Sequence, residues 1–381
     1  MNLTENQKKI QEEARDLALK EIGPQASKVD KERFYPRDGI KKLGAAGFLG
    51  LTVPEALGGR GADTISFVLA TEAISRSCAS TGLVFLTHSL VTRAVAVAGT
   101  DEQKKRLLPA MIAGEKLGAL ALTEAASGSN SLAIETKAVA DGDDFIVNGT
   151  KSLITGAKEA QVYIVVLRTD GAKTPLDLSA IIIEKDTPGF SFGKNSDFMG
   201  LCGISNGNLV FENCRVPKAN LLGSENGYMR VGPAYASHAM LGMAAISLGI
   251  AQAAVDAATE HAKTRKNGEK PISSYQGIQF MIAEMTTALA ASRELTYSGA
   301  QSIDSQQPPS PLPLYMSKFN ATEMAIDVTN KALRLHGGTG YSRNFPLERH
   351  YRDAIGISLH FSTSEKLKEM VGKMLLGLPP L

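Results

Sequence analysis

Four short stretches concentrate the residues that could do chemistry in this chain. LTEAASGSN (Leu122 to Asn130) sets the hydroxyls of Thr123 and Ser129 around Gly128, where a missing Cβ lets backbone N–H groups come close to a bound phosphate. NGTKSLITGA (Asn148 to Ala157) adds Leu153 and the hydroxyl of Thr155. TRKNGEKPISSYQ (Thr264 to Gln276) brings Arg265, a guanidinium able to pair with phosphate, and Gln276. RDAIGISLHFSTSEK (Arg352 to Lys366) carries His360, whose imidazole titrates near neutrality and suits proton transfer. Taken alone, the first stretch reads as a strand followed by a Gly-Ser turn. The cysteines offer nothing comparable: Cys78, Cys202 and Cys214 show no metal-ligating spacing, and an odd thiol suits a reducing compartment.

The elements that must position these residues fall into three blocks. Residues 1–120 read as helices, with apolar residues at 3.6-like spacing in Ile10 to Leu19, Gly39 to Gly47, Ile65 to Ser75 and Leu83 to Ala98. Residues 121–225 change to short β-type runs separated by Asp, Gly and Asn turns. Residues 226–381 return to long helices rich in Ala, Met, Leu and Ile, interrupted by the Pro-rich SQQPPSPLPL. This predicts an α+β chain with helical, β and helical domains in that order.

Composition narrows the function. The chain has 381 residues, 43% of them hydrophobic, enough for one large core or two to three smaller ones. Lys and Arg number 41 against 39 Asp and Glu, a net charge of +2 that points away from nucleic acid and toward small ligands or proteins. The N-terminus is charged, and no uninterrupted apolar run reaches the roughly 18 residues of a membrane span. A cytoplasmic protein without a membrane span is the expectation.

Six motifs in order carry a more specific reading. LTEAASGSN is similar to L-T-E-P-x-A-G-S-D, and NGTKSLITGA to N-G-x-K-x-W-I-T-N-G. DFMGLCGISNGNLVFENCRVP is similar to D-K-M-G-x-R-x-S-x-x-x-x-L-x-F-x-x-V-x-V-P. TRKNGEKPISSYQGIQFMIAEM, LHGGTGY and RHYRDA follow at matching spacing. These patterns are those of the acyl-CoA dehydrogenases, which the chain resembles from PEALGGRGAD to its last helix. The resemblance implies an N-terminal α-helical domain, a middle β-barrel or sandwich domain, and a C-terminal four-helix-bundle domain.

It also implies FAD. Leu122 and Thr123 match the contacts to the isoalloxazine, Gly128 and Ser129 those to the pyrophosphate, and Thr155 the hydroxyl near N5. Leu153 stands where the family has Trp, on the face where electron-transferring flavoprotein docks. Arg265 matches the arginine that a neighbouring subunit brings to the pyrophosphate, Gln276, Gly337 and Gly338 match the rest of the adenosine cradle, Arg334 occupies a position of that cradle, and Thr363 matches the end of the flavin set. A homotetramer or dimer follows by resemblance. The family's Phe-Gly after the arginine is Gly268-Glu269 here, and its Gln before the glycine pair is Arg334.

The largest departure concerns the base. The family pattern R-D-A-x-x-x-x-I-Y-E-G-T aligns with Arg352 to Thr363, placing His360 at Tyr, Phe361 at the catalytic Glu and Ser362 at Gly. The Phe361 peptide N–H remains available to the thioester carbonyl whatever its side chain. Some relatives carry the base on another helix of the C-terminal domain, just before a family arginine, but the matching positions are Ala239 and Met240. His360, Tyr235 and Ser237 are therefore the replacement candidates. Leu83, Leu86 and Leu90 lie at i, i+3 and i+7 on the helix that lines the family's acyl cavity, and core packing explains them equally well. The reading is an FAD-dependent oxidoreductase of a CoA thioester with a non-standard base and an apolar, cyclic or aromatic acyl group. The alternatives are a redox-neutral acyl-CoA lyase and a catalytically degenerate subunit of a hetero-oligomer.

Overall fold

A computed structural model describes residues 2–128, 130, 133–174, 176–305 and 310–379. The first block folds as helices α1 (Glu5–Leu17), α2 (Ala26–Lys31), α3 (Arg37–Ala45), α4 (Thr64–Ser77), α5 (Ala79–Ala98) and α6 (Asp101–Ile112). Side chains fix their starts. Thr4 with Gln7 and Thr100 with Gln103 form reciprocal capping boxes for α1 and α6, and Asp63 caps α4 through the Ser66 N–H.

The middle block contains β1 (Gly118–Ala121), β2 (Lys137–Asp141), β3 (Asp144–Thr155), β4 (Val162–Thr169), β5 (Ser179–Glu184), β6 (Phe190–Asn195), β7 (Asn206–Pro217) and β8 (Leu221–Leu222). β1 pairs with β4 in parallel, so the sheet begins at Gly118, inside the end of the first predicted block. The strands run β6-β7-β3-β2 and, on the other half, β1-β4-β5-β8. Among the described residues, the strand pairing that joins the halves is Lys137 opposite Arg168 and Ala138 opposite Thr169. Phe145, Val147 and Phe211 from one half share a core with Tyr163, Val165 and Ile183 from the other, which is the packing of a sandwich.

The last block holds α7 (Tyr228–Thr264), a small hairpin of β9 (Lys266–Asn267) and β10 (Lys270–Pro271), α8 (Gln276–Ser305), α9 (Leu312–His336), α10 (Gly338–Tyr341), α11 (Leu347–Leu359) and α12 (Ser364–Leu375). α7, α8 and α9 pack on one another, and α11 packs on α7 and α9, giving the predicted bundle of four. α5 and α7 are long and apolar enough to cross a membrane by length and composition, but both are largely buried inside the fold. They are core helices, and α7 also packs on α4 and α5 of the first block.

Two contacts lock α11 to the β domain. Asp353 accepts the Leu201 N–H at 2.6 Å, and Arg352 donates to the Met199 carbonyl at 2.8 Å while pairing with Asp30 of α2 and Glu348. A Cβ on Gly200 would lie 2.5 Å from the Arg352 carbonyl group, so glycine permits this approach. The Arg-Asp of RHYRDA is thus a three-domain clasp placed two turns before His360.

Candidate active site

The site is assembled from three groups of residues. The first lies where β1 ends beside β3. The Ser152 N–H donates to the Thr123 carbonyl at 2.8 Å, which sets Leu122 and Thr123 alongside the end of β3. There the ladder to β7 slips between Lys151 and Ile154, and Leu153 takes a left-handed φ of +57°. Such a bulge turns a side chain outward. Leu153 is 52% exposed, an apolar surface next to the hydroxyls of Thr123 and Thr155. Neither hydroxyl has a partner among the described residues. Space is open where a Cβ on Gly128 would be, and Ser129 lies outside the described residues.

A buried ion pair holds this group in place. Lys151 donates to Glu124 at 2.7 Å and to the Leu122 carbonyl at 3.0 Å, and its side chain is wholly buried. Glu124 also accepts the N–H groups of Glu135 and Thr136. Burial pulls the Lys151 ammonium down to about 8, against the opposing pull of Glu124. The Glu and Lys of the two motifs are therefore scaffolding, a role not read from the sequence.

The second group sits at the far end of the bundle. Arg265 ends α7 and Gln276 begins α8, while Arg334, Gly337 and Gly338 surround the end of α9. Stacking of His261 on His336, with centroids 4.0 Å apart, brings the two helix ends together. All five residues are exposed, and no carboxylate pairs with Arg265 or Arg334 among the described residues. The N-terminal end of α7 lies instead by the first group, since Tyr228 and Leu122 pack on the same small core. At 1.5 Å per residue the 37 residues of α7 extend about 55 Å, so one chain holds its two groups at opposite ends of this helix.

The third group is the turn between α11 and α12. His360 caps α11, and the Ser362 N–H donates to the His360 carbonyl at 2.8 Å, closing a three-residue turn centred on Phe361. Phe361 has φ +60° and is 37% exposed. This is the strained hand of the γ-turn, a conformation that collects at functional sites. The Phe361 N–H has no acceptor among the described residues. Thr363 caps α12 by accepting the Lys366 N–H, leaving its own O–H to donate. His360 Nδ1 lies 2.7 Å from the Gly356 carbonyl, so Nδ1 carries the proton and Nε2 the lone pair. Burial lowers the His360 pKa, which the Gly356 contact opposes.

The remaining candidates are placed less favourably for chemistry. The Tyr235 hydroxyl is hydrogen-bonded to that of Tyr228 and buried, with its pKa raised well above the phenolic value first by burial and then by Tyr228. It cannot serve as a base. Ser237 contacts His238 Nδ1 at 3.3 Å, and His238 itself stacks obliquely on Phe67 inside the core. Ala239 is buried and Met240 half-buried against the same core. Leu83, Leu86 and Leu90 are fully buried, Leu86 filling the place a side chain on Gly242 would need. Core packing accounts for them here. His88 is structural: it accepts the Gly118 N–H at 3.1 Å, contacts the Met111 carbonyl at 3.0 Å, and is held down to about 4 by burial.

The donors fit a flavin. Unengaged hydroxyls at Thr123 and Thr155, the outward Leu153 and the open cradle at Gly128 supply hydrogen bonds, an apolar plate and room for phosphate. Residues 4–115, 119–214 and 235–376 match, in turn, the N-terminal, middle and C-terminal domains of acyl-CoA dehydrogenase. A 3-(aryl)acrylate reductase of Clostridium sporogenes (strain ATCC 15579) is 39% identical over 99% of this chain and 100% of its own. An acryloyl-CoA reductase (NADH) of Anaerotignum propionicum is 38% identical over 98% of this chain and 95% of its own. The butyryl-CoA dehydrogenase of Megasphaera elsdenii superposes with a TM-score of 0.94 at 32% identity, covering 99% of both chains. The chain belongs to the acyl-CoA dehydrogenase family, whose cofactor is FAD.

Proposed function

We propose that the protein is an FAD-dependent oxidoreductase of CoA thioesters that works without a carboxylate over the substrate α-carbon, and that it favours reduction of an α,β-unsaturated acyl group. The observation that carries this reading is the unpaired Phe361 N–H, held in a left-handed turn where the family pattern has glutamate. FAD, when bound, supplies hydride chemistry at N5.

The Phe361 N–H donates to the thioester carbonyl oxygen, where negative charge grows in either direction of reaction. Oxidation additionally requires removal of the α-proton, and a phenyl ring has no lone pair to take it. Reduction asks less of the protein. With FAD bound, hydride would reach Cβ, the C=C pair would become the Cα=C bond of an enolate as the carbonyl π pair moves onto oxygen, and a proton from water would add at Cα and restore the carbonyl. The exposure of the Phe361 turn gives water that access. His360 Nε2, a lone-pair acceptor because Nδ1–H is held by the Gly356 carbonyl, can orient that water by accepting one of its O–H bonds. The names of the two reductase relatives favour this direction. The phenyl ring of Phe361 suits an apolar, cyclic or aromatic acyl group.

The separation along α7 supports a homo-oligomer, a dimer or tetramer in which a second copy brings Arg265, Gln276, Arg334 and Gly337-Gly338 to the Leu122–Thr155 half. The exposed apolar face at Leu153 supports docking of an electron-transferring flavoprotein there.

The test uses the FAD-loaded protein under anaerobic conditions. Dithionite-reduced protein mixed with cinnamoyl-CoA or crotonyl-CoA is expected to regain oxidised flavin absorbance, at least ~100-fold faster than the saturated thioesters bleach the oxidised protein, the scale of a missing acid–base group. Product formation with an unchanged flavin spectrum would instead mean a lyase. No response to any thioester would mean a degenerate subunit.

A further inference from the structure

Lys318 is the most unusual charge in the bundle. It projects from α9, is fully buried, and has no carboxylate in ion-pair contact among the described residues. Its ammonium donates instead to two backbone carbonyls, Ser358 at 2.8 Å and Ser362 at 2.5 Å. Ser358 is in the last turn of α11, and Ser362 follows Phe361, so the two bonds straddle the strained turn. An ammonium without a counterion is costly to bury. Here the carbonyl at the negative end of α11 compensates, as does that of a peptide whose orientation the turn would not otherwise fix.

We infer that Lys318 is the positioning residue of this site: by gripping the carbonyls of Ser358 and Ser362 from below, it aims the Phe361 N–H at the thioester oxygen and puts a positive charge beneath that oxygen. The inference rests on the reading of the Phe361 N–H given above. The geometry explains how a phenylalanine stays at φ +60°, since relaxing the turn would withdraw at least one carbonyl from a buried cation. Water cannot replace that contact from outside, because the lysine is closed off by α9, α11 and α12. The ammonium polarises the Ser362 peptide and, through the compact turn, the Phe361 donor. Around it stand His360 from the turn, Glu323 from its own helix and Glu365 from α12, the last two acting only at a distance. Burial brings the ammonium down to about 8 while these carboxylates oppose the shift.

The test measures enolate formation rather than turnover. A 3-oxoacyl-CoA such as acetoacetyl-CoA ionises to an enolate with its own ultraviolet absorbance, and the apparent pKa of the bound ligand reports stabilisation of the carbonyl oxygen. The comparison ligand is an alkyl-CoA thioether, which binds through the same CoA and chain but has no carbonyl. In FAD-loaded Lys318→Met the enolate fraction at fixed pH is expected to fall about 10-fold, below the 10²–10³-fold of a deleted direct donor. The thioether affinity is expected to change less than about 2-fold. Lys318→Arg, which keeps the charge, should recover part of the enolate signal. If Lys318→Met does not fold, Lys318→Gln, which keeps an N–H donor but no charge, decides the matter by the same two ligands. Equal losses for both ligands, or none for either, would overturn the assignment. Wild-type protein that binds the 3-oxoacyl-CoA without promoting its ionisation would overturn the underlying reading of Phe361 instead.

Discussion

Phe361 combines two features that rarely occur together, a bulky side chain and a left-handed backbone. Residues held in such regions cost on the order of 1–3 kcal/mol each, and glycine would avoid the strain. What the strain obtains is a peptide N–H that has no acceptor among the described residues. The side chain and the peptide can therefore be separated by mutation. Phe361→Glu combined with Ser362→Gly restores a carboxylate over the α-carbon while leaving the donor in place. We expect α,β-dehydrogenation of saturated acyl-CoAs to rise ~10-fold or more, a barrier lowered by at least ~1.4 kcal/mol. Steady-state assays over a panel of chain lengths measure this, with FAD content and melting temperature as controls. A folded, flavin-loaded double variant with no gain on any thioester would mean that the pocket has diverged beyond the base.

At the scale of elements, the β1–β3 junction depends on one buried pair. Lys151 and Glu124 join the segment after β1 to the bulged end of β3, and the same ammonium holds the Leu122 carbonyl. Removing one member of a buried pair leaves the other charge unpaired and typically costs about 3–5 kcal/mol. Lys151→Met should therefore lower stability by about 3 kcal/mol, reduced somewhat because Glu124 keeps the N–H groups of Glu135 and Thr136. Urea unfolding reads the loss, and FAD affinity should weaken with it because Leu122 and Thr123 lose their anchor. An unchanged midpoint would show that the pair is dispensable. The Arg352–Asp353 clasp plays a similar part between α11 and the loop at Gly200. Burial raises the Asp353 carboxyl to about 7, so near neutrality a proton is shared between the folded core and solvent.

The whole molecule gathers several titrating groups in its interior, with a predictable response to acid. His88 and His350 are held by burial to about 4 and about 3, and His238 is well below its usual value for the same reason. Their folded pKa values are depressed, so between about 6.5 and 4 the unfolded chain binds protons that the fold refuses, and stability falls as pH falls. Asp353 works the other way: its raised pKa favours the fold below 7 and loses that contribution as pH rises through 7. All six histidines are lowered, first of all by burial, against this one strongly raised carboxyl, so the balance is loss of stability in acid. Thermal melts should show a markedly lower midpoint at pH 5 than at pH 7. A midpoint that stayed level or rose at pH 5 would refute this balance.

The order of the domains, the helical and strand texture and the cofactor motifs were all legible along the chain, because each depends on local periodicity or on residues a few positions apart. The structure brings Thr123, Leu153 and Thr155 together at the β1–β3 junction and Arg265, Gln276 and Gly337 together at the far end of the bundle. Tyr235 looked available by helical spacing, but a hydroxyl seven residues earlier on the same face claims it, and burial removes it from proton transfer. Leu83, Leu86 and Leu90 read equally well as pocket or core, and only the packing of α5 against α7 decided for core. The sequence showed that residue 361 is Phe, but the strain and freedom of its N–H depend on a turn clamped by Lys318, 43 positions away (361 − 318). Along the chain Lys318 is one of many helical lysines. Its importance is long-range, since a buried ammonium is defined by what surrounds it, and only the meeting of α9, α11 and α12 supplies those surroundings.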